Sequence, residues 1–131
     1  DPDNRRTYPW GHEDQMMIAF HRDMIKIHKE YDFLSNGSLV FLWNDYQGLC
    51  YARFSRKEQM IVIINNQAES RDVEIQLWQA GISRLADTKL KRIVVTSAEG
   101  FTEEPEEYTA TAGILKITMP AFGAMVLHHK N

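Results

Sequence analysis

The spacing of apolar residues changes period near Ser38, and this change constrains the fold more than any other feature of the chain. From about Asp14 to Tyr31, Met17, Phe20, Met24, Ile27, His28 and Tyr31 recur near every 3.6 residues, opposite Arg22, Asp23, Lys26, Lys29 and Glu30. That stripe predicts one amphipathic helix. Asp14 or His12 is placed to open it, Glu13 and Asp14 suit its positive end, and Asn36-Gly37 stops the chain soon after its last turn. Before it, residues 1–11 carry Pro2, Pro9 and Gly11, which predict an irregular loop.

From Ser38 onward the apolar repeat is two, in short runs divided by turn residues, the pattern of an antiparallel sandwich or barrel. The candidate strands are Leu39 to Trp43, Leu49 to Ser55, Met60 to Asn65, Asp72 to Leu77, Leu90 to Thr96, Tyr108 to Thr111, Ile114 to Met119 and Ala124 to His128. Val73, Ile75 and Leu77 alternate with Asp72, Glu74 and Gln76, and Leu115, Ile117 and Met119 with Lys116 and Thr118, so these strands should have one wet face. Met60 to Ile64 is apolar on both faces and should lie centrally. Ala98 to Glu107, with its run of glutamates, predicts a solvated loop. The fold class is therefore mainly β: an antiparallel β-sandwich of about eight strands, Greek-key type, preceded by one amphipathic α-helix.

Composition narrows the function classes. A net charge of -3, with Lys and Arg scattered among Asp and Glu, offers no basic surface for nucleic acid. No apolar run approaches the roughly 20 residues that cross a bilayer. The one cysteine, Cys50, cannot form an intrachain disulfide, which is compatible with a cytoplasmic location. The chain opens Asp1-Pro2-Asp3 without an initiator methionine, and the loop–helix–sheet order is natural if the helix closes a preceding domain. The expectation is a piece of a longer protein.

Asp1-Pro2-Asp3-Asn4-Arg5-Arg6-Thr7-Tyr8-Pro9-Trp10, followed by an amphipathic helix and an all-β tail that ends in Met119-Pro120-Ala121-Phe122-Gly123-Ala124, resembles the C-terminal part of α-amylase-family glycoside hydrolases of the neopullulanase or cyclomaltodextrinase type. The resemblance covers the whole chain. It implies that the first residues rim an active-site cleft, that the helix is the last of a (β/α)₈ barrel, and that a β-sandwich called domain C follows. The implied division is residues 1–33 as the barrel remnant and residues 34–131 as the sandwich. His28-Lys29 stand where that family's barrel helix usually carries an Arg-Lys pair, and the stretch from Lys89 to Tyr108 is longer and more acidic than in the family.

A retaining glycosidase needs two carboxyl groups about 5 Å apart, and the resemblance places those groups upstream of Asp1. No catalytic residue is therefore assigned in this chain. Glu103, Glu104, Glu106 and Glu107 lie on a run expected to be solvated, which would not fix a carboxylate. The resemblance assigns Asp1 and Arg5 to substrate binding in the full enzyme, since a carboxylate accepts and a guanidinium donates hydrogen bonds to sugar hydroxyls; the alternative is that they brace the loop. Trp10 is expected to be a packing anchor. Trp43, Tyr46, Tyr51 and Trp78 are either core aromatics or sugar-stacking platforms.

No metal or cofactor is expected. His21 and His28, read on the apolar helix face, are seven residues apart and lack partners at zinc spacing, and His128 and His129 point to opposite faces of the last strand. Cys50 is expected to be a small apolar filler. The function implied is the C-terminal domain of a hydrolase acting on pullulan, cyclodextrins, starch oligosaccharides or related α-glucosides, supporting the catalytic barrel without catalysing alone. The partners are that barrel and, in the full enzyme, an α-glucan; a homodimer through the exposed helix stripe is a further expectation. The rival reading is a non-catalytic glucan-binding or oligomerisation module.

Overall fold

A computed structural model describes residues 6–131. Residues 6–14 have no regular secondary structure, and helix α1 then runs over Gln15–Glu30. The Asp14 carboxylate caps it by accepting from the Met17 N–H at 2.9 Å. At the other end the Tyr31 N–H reaches the Ile27 carbonyl, and after Asp32 a single extra turn, α2 (Phe33–Asn36), precedes Gly37. The sequence pattern gave no sign of α2. Four residues are too few for a period to show.

Nine strands follow among the described residues: β1 (Ser38–Asn44), β2 (Gly48–Phe54), β3 (Glu58–Asn65), β4 (Arg71–Gln76), β5 (Thr88–Ser97), β6 (Gly100–Thr102), β7 (Glu107–Ala110), β8 (Ile114–Met119) and β9 (Ala124–Lys130). All eight candidate strands are present. The ninth, β6, corrects the expectation that Ala98 to Glu107 is loop throughout: Gly100 and Phe101 pair with Ser97 and Thr96, and Phe101 meets Phe20 of α1 at 5.3 Å between ring centres. The glutamates beyond it are exposed, as their charge requires. A 3₁₀ turn at Trp78–Ala80 also interrupts the β pattern.

The strands form a seven-stranded sheet in the order β1-β2-β3-β9-β5-β6, with β7 also paired to β5, and a two-stranded sheet of β4 and β8. All pairings are antiparallel. The chain crosses between sheets after β3, after β4, and again through β8 to β9, the over-and-back course of a Greek-key sandwich. β3 is central, between β2 and β9, as its two apolar faces predict.

Between the sheets lies the main core. Ile61, Ile63, Leu90 and Leu127 from the large sheet, and Ile75, Leu115 and Met119 from the small one, are fully buried. Each side chain of this size contributes about 1.5–3 kcal/mol by leaving water. The solvent face of the small sheet carries cross-strand pairs: Asp72 accepts from the Thr118 hydroxyl, and Lys116 faces Glu74. The β7–β8 hairpin turns through Ala112 (φ 51) and Gly113 (φ 75), both left-handed as a two-residue primed turn demands.

Candidate functional site

The large sheet has a second face, and it is apolar too. Register carries one row across five strands: Phe41 opposes Tyr51, Tyr51 opposes Val62, Val62 opposes Val126, and Val126 opposes Val94. An all-apolar row on the face away from the sandwich core must be covered by something else. α1 covers part of it: Ile27, Phe33, Leu34, Met60 and Val94 form a second buried cluster, with Met24, Tyr31, Ile93, Phe101 and Val126 packed around it.

The cover stops partway. Leu39 and Phe41 at the β1 end are 53% and 61% exposed, and a groove of about 480 Å³ opens between them and α1, lined by Met24, Ile27, Tyr51, Met60 and Val62 among others. Met16 and Met17 at the start of α1, and Ile25 in its second half, are more than half exposed. The helix stripe is thus split: Phe20, Met24, Ile27 and Tyr31 are wholly or half buried, while Met17 and His28 are not. The exposure that suggested a homodimer is correspondingly smaller than the sequence implied.

Two polar features fix the helical segment. Arg53 on β2 donates from Nη2 to the Leu34 and Gly37 carbonyls at 2.7 and 3.0 Å, satisfying carbonyls at the end of α2. His128 lies beneath the helix end, 4.7 Å from the Tyr31 ring centre and stacked near Phe33. Its Nε2 is buried, makes no hydrogen bond, and sits 4.0 Å from Glu58 Oε1. Burial pushes its pKa below the usual histidine value, against the opposing pull of Glu58.

At the end of the sandwich near the start of α1, three loops are tied together. The buried Asn65 amide donates to the Glu69 and Pro120 carbonyls at 3.0 and 2.9 Å and accepts from the Gln67 N–H at 3.2 Å. Asp45 and Arg71 form a two-pronged ion pair, and the guanidinium holds the Asp45 carboxyl down to about 2. That guanidinium also lies over Trp43, 4.9 Å from the ring centre, with Gly48 against the same indole.

Asp1 and Arg5 lie outside the described residues. Trp10 is 80% exposed and meets the Tyr8 ring at 4.6 Å, so it is not packed into the sandwich. His21 and His28 are exposed rather than on the packed face, and His21 Nδ1 is 2.8 Å from the Met17 carbonyl. His128 and His129 do face opposite ways, His128 to the helix and His129 to the Lys89 carbonyl at 2.8 Å. Cys50 is fully buried, with its thiol pushed up to about 12 by burial.

Trp43 and Trp78 are structural: the Trp78 indole N–H donates to the Ala112 carbonyl at 2.9 Å, and Arg84 lies on its ring. Tyr51 belongs to the apolar row, and Tyr46 is fully exposed. Asp45, Glu58, Glu74, Glu106 and Glu107 each face a cation. Among the described residues no three His, Cys, Asp or Glu side chains converge as metal ligands.

No known family model matches the chain. It is 28% identical over 85 residues to an amylopullulanase from Thermoanaerobacter thermohydrosulfuricus, covering 57% of this chain and 6% of that protein. It is 26% identical over 138 aligned positions to an amylopullulanase from Thermoanaerobacterium saccharolyticum, covering 97% of this chain and 10% of that one. The chain thus spans a tenth or less of the length of these curated relatives. Among solved structures it superposes on an α-amylase from Geobacillus thermoleovorans, complexed with acarbose, with a TM-score of 0.74 at 17% identity, over all of this chain and 26% of that one. A debranching enzyme from Nostoc punctiforme gives a TM-score of 0.66 at 23% identity, over 97% and 24%.

Proposed function

We propose that this chain, which resembles the C-terminal part of α-amylase-family hydrolases along its whole length, serves a larger α-glucan hydrolase as the support of its catalytic barrel. In this reading residues 1–33 complete the barrel, residues 34–131 are domain C, and the carboxylates that break the sugar bond lie upstream. Asp1 and Arg5 then bind substrate hydroxyls at the rim of the cleft. The substrates are pullulan, cyclodextrins, starch oligosaccharides or related α-glucosides, and the enzyme works in the cytoplasm.

The observation that carries the reading is the half-covered outer face of the large sheet. Leu39 and Phe41 flank the groove beside α1, Met16, Met17 and Ile25 are exposed elsewhere on the helix, and large exposed apolar patches belong to contacts. A helix that covers only half of an apolar row suits an element shared between two bodies, the sandwich on one side and a barrel on the other. The ion-paired state of the carboxylates agrees with a supporting role.

Two measurements test this. The isolated chain should release no reducing sugar from pullulan or cyclodextrins, and turnover by a tag-free sample would overturn the supporting role. Supplied in trans to the coding region upstream of Asp1, it should co-purify with that product, and Phe41→Asp should abolish co-purification while leaving the circular dichroism spectrum unchanged. Retention of the partner by Phe41→Asp would place the contact elsewhere. Self-assembly in place of partner binding would favour a second copy of this chain as the occupant.

A further inference from the structure

We infer that the loop end of the sandwich is an α-glucan-binding surface, with Tyr46 and Phe122 as stacking platforms for two sugar rings and the amides of Gln47 and Gln67 between them. The choice of an α-linked glucan rests on the function proposed above; the site itself rests on geometry.

Tyr46 sits at the tip of the β1–β2 turn with its ring fully exposed. The turn beneath it is rigid: the Asp45 carboxylate accepts from the Gln47 N–H at 2.9 Å and is clamped by Arg71, while the Asp45 N–H donates to the Gly48 carbonyl at 3.0 Å. Phe122, in the β8–β9 turn, has its ring 54% exposed on a backbone at φ 45. That left-handed conformation brings Cβ against the following carbonyl and is normally given to glycine or asparagine. A strained backbone that holds a hydrophobic ring in water is explained by what the ring does there.

The two turns are joined across the β3–β4 loop. The Asn66 N–H donates to the Gln47 carbonyl and the Phe122 N–H to the Gln67 carbonyl, both at 2.8 Å, and Gln67 Nε2 donates to Gln47 Oε1 at 2.6 Å. Tyr46 and Phe122 therefore sit on turns tied to the same loop, each through one backbone hydrogen bond. Asn65 anchors the assembly from below through the Glu69 and Pro120 carbonyls. The result is two exposed aromatic side chains on turns tied through one loop, with side-chain amides that both donate and accept. Sugars are bound by this chemistry: C–H faces lie on aromatic rings and hydroxyls meet planar polar groups. Trp43 and Trp78 each have one ring face occupied by a guanidinium.

The test is titration of the isotope-labelled 131-residue chain with maltoheptaose, with cellohexaose as the β-linked control, read by amide shifts. Maltoheptaose should move the amides of Tyr46, Gln47, Gln67 and Phe122, and cellohexaose should leave them in place. Tyr46→Ala, at a position no core depends on, should weaken binding by about tenfold. Phe122→Gly, which removes the ring and relieves its backbone, should do the same while the remaining spectrum stays that of the wild type. Absent shifts, shifts centred on Phe41 or Trp78, equal response to cellohexaose, or undiminished affinity in both variants would overturn the site. None of those outcomes bears on the co-purification that tests the supporting role, so the two readings fail separately.

Discussion

The two faces of the large sheet are built from the same kinds of residue and meet different fates. The inner face, with Ile61, Ile63 and Leu127, is sealed by β4 and β8 to complete exclusion of water. The outer face carries an equally apolar row from Phe41 to Val94, yet only its β5–β9 side is covered, by one helix and its extra turn. The inner face therefore holds the fold and the outer face is available for a contact, although alternation of side chains along the strands is the same for both.

The sharpest way to break this contrast is a matched pair of truncations. Leu115→Ala, in the sealed core, should cost about 3 kcal/mol of unfolding free energy, because the cavity cannot collapse between two packed sheets. Phe41→Ser, on the open side, should change stability by no more than about 0.5 kcal/mol. Urea unfolding of the two variants under one set of conditions measures both. Equal costs would mean that the outer face is as much a part of the folding core as the inner one.

A second, smaller effect should separate the helix from the sandwich. Ile27 is the one residue of α1 that is buried outright, against the cluster that includes Met60 and Val94. Ile27→Ala should cost about 2 kcal/mol, and the loss should fall unevenly. Hydrogen exchange should quicken across α1 while the β3 and β9 amides keep their protection. Uniform quickening would show helix and sheet opening as one unit, which removes the distinction between the faces.

Much of this was legible in the sequence, for identifiable reasons. Strands such as β4 and β8 have a wet side, so Val73, Ile75, Leu115 and Ile117 announce their period against charged neighbours. β3 is read as central because Met60 to Ile64 has no wet side at all. Short or non-periodic elements left no such mark: β6 has three residues and begins at a glycine, and α2 has four. The sites were harder still. Arg53 reaches carbonyls 16 and 19 residues away, and Trp10 looks like an anchor in sequence yet stands exposed. Tyr46 is legible only as one of four aromatics that are either core or sugar-stacking platforms, whereas Phe122 shows its significance through a backbone angle that no residue pattern encodes.

The smallest predicted effect concerns the seam where the helix end meets the outer face. His128 is packed between Tyr31, Phe33 and Met60, faces Glu58 at 4.0 Å, and has Lys91 opposite it on β5, with His129 and Lys130 beside it. Burial is the largest influence and lowers its pKa; Glu58 raises it, and His129, Lys130 and Lys91 lower it further. A histidine kept neutral by folding binds its proton more readily once unfolded. Between the depressed folded value and the unfolded value near 6.5, the unfolded chain carries more protons, so stability must fall as pH drops through that window and be fully present above it. Urea midpoints at about pH 7.5 and about pH 5.5 should therefore differ in the wild type, with the lower midpoint in acid. His128→Phe keeps an aromatic ring against Tyr31 without the titrating nitrogen, and should flatten the difference. A midpoint that rises on acidification would mean that Glu58 outweighs burial and the seam is an ion pair in waiting, and the outer face would then be held by charge as well as by apolar contact.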